Sequence, residues 1–202
     1  MPPPLGVRAP GVLVALLLVT SGIGVGSGGA AEPLSEEVSF QRRDGRTITA
    51  HLVRPDGNGR HPAVLILHGA GGVRENHKTY ARRLADAGFV ALLPQLISIR
   101  LGANEPAGLL RNEISAAVAL LKGRKEIDGS RIGLVGFGEG GQRAVFAAIA
   151  FPAVFKAVAQ YYAPVGHPPI SLELAAGHTA SKIRAPLLIL HGEDDQLVPV
   201  EH

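Results

Sequence analysis

The sequence predicts an α/β fold in which a mostly parallel sheet carries helices on both faces. Continuous apolar runs of strand length alternate along the chain with segments of helical periodicity. At 202 residues, with 46% hydrophobic and 18% charged side chains, the chain is long enough for one domain with a substantial core. Strands separated by helices require crossover connections, which favour parallel pairing.

The first two predicted strands form an antiparallel pair. Residues 37–55 contain two alternating runs on either side of Asp44-Gly45, a dipeptide that favours a hairpin turn. Residues 62–69 follow as a continuous apolar run, which predicts a strand covered on both faces.

Helices and buried strands then alternate. Residues 76–88 have helical spacing, with Asn76 as the candidate N-cap, and residues 89–94 form the next apolar run. Residues 105–123 carry apolar side chains at helical spacing and predict a second helix.

The same pattern continues toward the C-terminus. Residues 131–136 predict a strand, residues 140–150 a helix, and residues 156–164 a further strand. One more strand and its exit loop lie within residues 185–199. We therefore expect seven strands, of which the first pair is antiparallel.

The N-terminal residues 1–31 have the organisation of a secretory signal peptide. Arg8 precedes the apolar run 11–19, and small residues then lead to a candidate cleavage site at Ala30 or Ala31. We expect a secreted or periplasmic protein with no stable membrane span after cleavage. An uncleaved N-terminal anchor is the alternative, because the uncharged stretch is longer than the apolar run itself.

Composition excludes several other classes of protein. The chain has no cysteine, so it has neither disulfides, nor cysteine-ligated metals, nor a thiol nucleophile. Its formal charge of +3 arises from scattered lysines and arginines with few aromatic residues, a pattern that does not favour nucleic acid binding.

Three loops that follow predicted strands could carry chemistry, since sites in parallel sheets gather at the carboxyl ends of strands. The first, LHGAGG at residues 67–72, has glycines that can turn backbone N–H groups toward one point, as an oxyanion hole requires. Its His68 is expected to be structural. The others are GFGEGG at residues 136–141 and HGEDDQLVP at residues 191–199.

The second loop has the pattern of a nucleophile elbow, a sharp turn between a strand and a helix that presents an attacking side chain. The positions where its backbone is most crowded hold Gly136, Gly140 and Gly141. This register places Gly138 at the apex and lets the backbone N–H of Glu139 complete an oxyanion hole. A register with Glu139 at the apex would put Phe137 at a crowded position, so we do not favour it.

The third loop has the position of the acid in a nucleophile–acid–histidine triad. Its spacing to Val198 favours Asp195 as this acid, with Asp194 as the alternative. An acidic, solvated turn without a catalytic role remains open.

Four ordered segments together resemble the dienelactone hydrolase family of α/β-hydrolases: LHGAGG, YARRLADAGFVALLP, IDGSRIGLVGFGEGGQRA and APLLILHGEDDQLVP. The resemblance implies an α/β-hydrolase domain over residues 32–202. It also implies cleavage of small esters or lactones through an acyl-enzyme, with a Ser or Cys, an Asp and a His and without a cofactor or metal. Gly138 would take the nucleophile position and Asp195 that of the acid, and Ala70 and Glu139 would supply the oxyanion N–H groups.

The chain departs from the family pattern in two ways. Gly138 has no side chain that could attack a carbonyl. The family's histidine follows one further helix and strand, whereas this sequence stops at His202. We therefore expect a C-terminally truncated domain that lacks the last strand and helices.

The histidines and serines that are present are not expected to replace the missing groups. The predicted strands and connections that carry them give no reason for them to converge on the elbow. They are His51, His61, His77, His167, His178, Ser98 and Ser171, and His68 and His191 belong to Leu-His-Gly turns.

Three functions remain open at this point. The first is hydrolysis of a small ester or lactone, the chemistry that the family resemblance implies. Direct attack by water with Glu139 as the base is conceivable for it, although the geometry disfavours this route. The second is a non-catalytic protein that binds a small molecule in the retained site. The third is a peptidase of the prolyl oligopeptidase type, which shares the fold and the loop order.

Overall fold

The computed structural model describes residues 32–96, 107–164 and 182–198 of the chain. These residues form a seven-stranded sheet with the strand order β1-β2-β4-β3-β5-β6-β7. The strands are β1 (Leu34–Gln41), β2 (Thr47–Arg54), β3 (His61–Leu67), β4 (Val90–Pro94), β5 (Ile127–Phe137), β6 (Phe155–Tyr161) and β7 (Leu187–Leu190). The helices of this part are α1 (Glu75–Asp86), α2 (Ala107–Gly123) and α3 (Glu139–Ala150).

Strand directions confirm the predicted mostly parallel sheet. β1 and β2 pair antiparallel across the turn at Gly45, whose φ of 79° is readily adopted by glycine. β2 also pairs antiparallel with β4, which the sequence did not indicate. All pairings from β4 through β3, β5 and β6 to β7 are parallel, so the carboxyl ends of these strands lie at one edge of the sheet.

Helices cover both faces of the sheet, as predicted. On β3, Leu65 and Leu67 belong to the core that α2 and α3 cover, whereas Val64 and Ile66 belong to the core beneath α1. All four side chains are fully buried. A strand with both faces buried explains why this segment is apolar without alternation. No helix in the described segments is long and apolar enough to cross a membrane.

The start of α1 differs from the prediction. The helix begins at Glu75 with Arg74 as its N-cap, two residues before the predicted cap Asn76. The Arg74 N–H donates to Nδ1 of His77 at 3.0 Å, so a histidine at the third helical position satisfies a backbone donor at the helix start. Glutamate or glutamine usually fills this role, which is why the sequence pattern did not reveal it.

Close backbone approaches hold the end of β5 against the end of β3. A Cβ at Gly140 would collide with the backbone carbonyls of Leu67 and His68, and a Cβ at Gly136 would collide with the carbonyl of Gly140. Backbone atoms cannot move aside as a flexible side chain can. The predicted crowding at these two glycines is thus present in the fold.

We predict that Gly140→Ala lowers the free energy of unfolding by about 3 kcal/mol or more, because the added methyl group has no space beside the end of β3. Gly108→Ala is the matched control in α2, where a Cβ meets no atom within 4 Å. The control should leave stability unchanged or raise it by up to about 1 kcal/mol, since alanine favours helix. Urea denaturation measures both; equal midpoints for the two variants would contradict the crowding.

Candidate active site

The predicted loops meet around one cavity of about 460 Å³ at the carboxyl edge of the sheet. We call it the elbow cavity. The residues that line it are Gly69, Ala70, Gly71, Gly72, Arg74, Asn76, His77, Phe137, Gly138, Glu139, Tyr162, Pro164, Asp195, Leu197 and Val198. All four residues carried over from the resemblance are among them. Asp194, the alternative acid, is exposed and does not line the cavity.

Gly138 forms the sharp turn between β5 and α3. Its φ of 55° and ψ of −123° are strained for any residue with a side chain. Its N–H donates to the Tyr161 carbonyl at 2.9 Å, and its carbonyl accepts from the Gly141 N–H at 2.8 Å. A Cβ at Gly138 would meet only the ring of Tyr162, at 3.5 Å. The apex therefore has the elbow conformation and room for a side chain, but carries none.

The loop after β3 is held in place by His68, which is fully buried. Its Nε2 accepts from the backbone N–H of Leu96 at 3.0 Å, so the ring proton lies on Nδ1 and is donated to the carbonyl of Gly69 at 2.7 Å. The same carbonyl accepts from the N–H of Gly72 at 3.0 Å. These bonds fit the predicted structural role of His68.

The backbone N–H groups of Ala70 and Glu139 both belong to residues that line the cavity. Neither N–H donates a hydrogen bond within the described part of the chain. Glu139 is the first residue of α3, where the helix dipole adds positive potential. Two free donors on neighbouring loops are what an oxyanion hole requires.

Asp195 is held as an ionised acceptor by its own loop. Its Oδ1 accepts from the backbone N–H groups of Leu197 at 2.9 Å and Val198 at 3.0 Å, and these bonds lower the pKa of the carboxyl. Nε2 of His191 lies 3.6 Å from Oδ2 and 2.6 Å from the Val198 carbonyl, to which it donates. His191 thus supports the acid loop from its own turn, as expected for a structural residue.

The structure corrects the expectation for His77, which lines the elbow cavity. The reason is the early start of α1, which brings the first turn of this helix to the carboxyl edge of the sheet. The ring is 3% exposed, and its centroid lies 5.1 Å from that of Phe137, the residue before the apex. Burial, and then the charges of nearby groups, lower the pKa of His77 to about 4, so the imidazole is neutral at neutral pH.

Two further cavity residues had no signal in the sequence. Arg74 is an exposed cation that forms no ion pair with a described residue. Tyr162 has a φ of 41°, a left-handed conformation that is unusual for a residue with a side chain, and its ring lies beside Gly138. Its N–H donates to the carbonyl of Leu190 at 2.8 Å, which holds this strained residue against β7. Burial raises the pKa of its phenol, so the hydroxyl is protonated at neutral pH.

A cluster of aromatic rings packs behind Phe137, one of the residues that line the cavity. Phe137 stacks on Tyr161 with ring centroids 4.8 Å apart and meets Tyr80 edge-on at 5.3 Å. The hydroxyls of Tyr80 and Tyr161 are 3.2 Å apart, so the hydroxyl group of the buried Tyr80 has a hydrogen-bond partner. This cluster fixes the residue before the apex.

The other histidines and serines divide into two groups. Nδ1 of His61 donates to the Gly88 carbonyl at 3.2 Å at the start of β3, the end opposite to the elbow cavity, and His51 lies on β2. The remaining candidates, His167, His178, Ser98 and Ser171, lie outside the described residues. Within the described residues no three His, Asp or Glu side chains are grouped to bind a metal ion.

A mostly parallel sheet with a glycine-rich loop, a strand–helix elbow and an acid loop at its carboxyl edge defines the α/β-hydrolase class. Within this class, the chain belongs to the dienelactone hydrolase family, whose model matches residues 48–202.

Two relatives agree with this assignment. A protein of Methylorubrum extorquens assigned as a carboxymethylenebutenolidase is 31% identical over 182 residues, covering 83% of this chain and 62% of the relative. A protein of Bradyrhizobium assigned as a 2-oxo-3-(5-oxofuran-2-ylidene)propanoate lactonase is 31% identical, covering 75% of this chain and 66% of the relative. This chain therefore spans less than two thirds of either relative.

The solved structure of dienelactone hydrolase from Anabaena variabilis has the same fold. It is similar to this chain with a TM-score of 0.67 at 24% identity, covering 83% of this chain and 77% of the solved chain.

The pKa of His77 makes a prediction about acid stability. Because the folded-state pKa of about 4 lies below the ordinary 6.5, the unfolded chain binds the proton more tightly, and the free energy of unfolding falls as the pH drops from 6.5 to 4. His77→Gln removes this titration while its amide oxygen can still accept from the Arg74 N–H.

We expect the parent to lose up to about 3 kcal/mol relative to His77→Gln across this range. Urea denaturation of both proteins at a series of pH values measures the difference. Parallel stability curves would show that His77 titrates normally.

Proposed function

We propose that this chain binds a small ester or lactone in the elbow cavity and forms no covalent bond to it at position 138. The observation that carries the proposal is the Gly138 turn, which keeps the elbow conformation while its apex has no reactive atom, together with two cavity N–H groups that donate to no described residue. The names assigned to the relatives, which are those of lactone-cleaving enzymes, support the substrate class.

In this proposal the ligand carbonyl oxygen accepts hydrogen bonds from the backbone N–H groups of Ala70 and Glu139. Both belong to residues that line the cavity, and the start of α3 adds positive potential at the second of them. Asp195 occupies the acid position of the site and remains ionised through its two backbone hydrogen bonds. An acyl-enzyme would need a nucleophile at the apex, and glycine supplies none.

A cysteine introduced at the apex tests whether this site activates an ester carbonyl. The chain has no native cysteine, so one introduced thiol can be followed by mass spectrometry without interference. Gly138→Cys has room for its Cβ, and the start of α3 should lower the pKa of the thiol. The matched control is Gly45→Cys, which has a similarly positive φ of 79° at a hairpin turn away from the cavity.

We expect p-nitrophenyl acetate to acetylate the Gly138→Cys thiol about tenfold faster than the Gly45→Cys thiol at neutral pH, because only the first lies beside oxyanion donors at a helix N-terminus. The parent should show no acetylation at this position. Equal acetylation rates for the two variants would show that the elbow cavity does not activate an ester carbonyl.

Direct attack by water is a second candidate, favoured by the carboxylates of Glu139 and Asp195 at the same cavity. It requires the parent itself to turn over p-nitrophenyl acetate. Turnover that is lost in both Glu139→Gln and Asp195→Ala would replace the binding proposal with this one.

We also propose that residues 1–31, which lie outside the described residues, direct export to the periplasm or the medium. The support is the basic, apolar and small-residue order of this segment. N-terminal sequencing of the exported protein should find Ala31 or Glu32 as its first residue. A protein that starts at Met1 and sediments with membranes would instead identify an uncleaved anchor.

A further inference from the structure

The imidazole of His77 has one defined tautomer. Nδ1 lies 3.0 Å from the backbone nitrogen of Arg74, and a backbone N–H can only donate. Nδ1 must therefore accept, which places the ring proton of the neutral imidazole on Nε2. Burial lowers the pKa of His77 to about 4, so the ring stays in this neutral form at neutral pH.

The Nε2–H has no acceptor within the described part of the chain. Only 3% of the surface of His77 is exposed, and the residue lines the elbow cavity. The buried atoms that lack a partner in the described residues do not include this nitrogen, so it keeps surface at which a ligand or water can accept its hydrogen bond.

The position of the ring relates this donor to the apex. The His77 ring packs on Phe137, with centroids 5.1 Å apart, and Gly138 follows Phe137 directly. The capping bond to Arg74 and the contact with Phe137 hold the ring from two sides. A ring held in this way is preorganised to donate in one direction.

We propose that His77 is a ligand-binding residue that donates a hydrogen bond from Nε2 to an oxygen of the ester or lactone in the elbow cavity. This inference rests on the proposed function and assigns a specific side chain to ligand recognition. The carbonyl oxygen and the ring or ester oxygen of such a ligand are both acceptors. A neutral donor suits an uncharged ligand because no charge is buried when the ligand binds.

Two substitutions separate the donor from the helix cap. In His77→Gln the amide oxygen can accept from the Arg74 N–H and the amide nitrogen can still donate. In His77→Glu the carboxylate can accept from the same N–H, and the start of α1 favours its charge, but the side chain has no donor when ionised. Both variants keep the acceptor that a capping box uses at this position.

The probe is γ-butyrolactone, an uncharged lactone, so the charge of His77→Glu does not repel it. Tetrahydrofuran, which lacks the carbonyl, serves as the comparison ligand. Binding to the parent and to both variants is measured by NMR titration of the backbone amides of uniformly ¹⁵N-labelled protein, and the shifts of the two ring nitrogens of His77 in the parent report its tautomer. Urea denaturation of both variants checks that the cap is retained.

We expect the parent to show a protonated Nε2 whose resonance moves when γ-butyrolactone is added. His77→Gln should bind within about twofold of the parent, and His77→Glu about five- to tenfold more weakly, which corresponds to the loss of one hydrogen bond. Equal affinity of a stably folded His77→Glu, or a proton on Nδ1, overturns the inference and leaves the proposed function intact. Failure of the parent to bind γ-butyrolactone, or equal binding of tetrahydrofuran, overturns the proposed function and this inference together.

Discussion

The backbone of α3 at Gly140 packs directly against the last carbonyl groups of β3, and the arrangement of the cavity depends on this approach. It brings the loop after β3 and the start of α3 side by side, so that Ala70 and Glu139 line the same cavity. A side chain at Gly140 would push these loops apart. The position of the two donors is therefore a consequence of backbone packing.

The glycines of the elbow are not all required by the same physical constraint. Gly136 and Gly140 are required by contact with backbone atoms, whereas Gly138 meets only the edge of the Tyr162 ring and is compatible with a small side chain apart from its positive φ. Crowding consequently does not explain the glycine at the apex. The shape of the turn does not depend on a reactive side chain at its apex, because the backbone contacts of Gly136 and Gly140 hold the elbow without one.

His77 connects the start of a helix with the wall of the cavity. Its Nδ1 satisfies the Arg74 N–H of the cap, and this same bond sets the proton on the nitrogen that remains. A local interaction that stabilises α1 thus also determines which group the ring can present. Tyr162 shows a similar connection, since its left-handed backbone is held by the end of β7 while its ring borders the apex.

By itself, the sequence determined the strands and helices, the elbow register and the placement of Asp195, because apolar periodicity, glycine positions and loop order are local patterns. It could not place Arg74, His77 or Tyr162 at the cavity. Arginine and histidine are not usual capping residues, so nothing local indicated that α1 begins at Glu75. Only the tertiary structure decided these positions, since they depend on where the first turn of α1 and the end of β6 meet across the edge of the sheet.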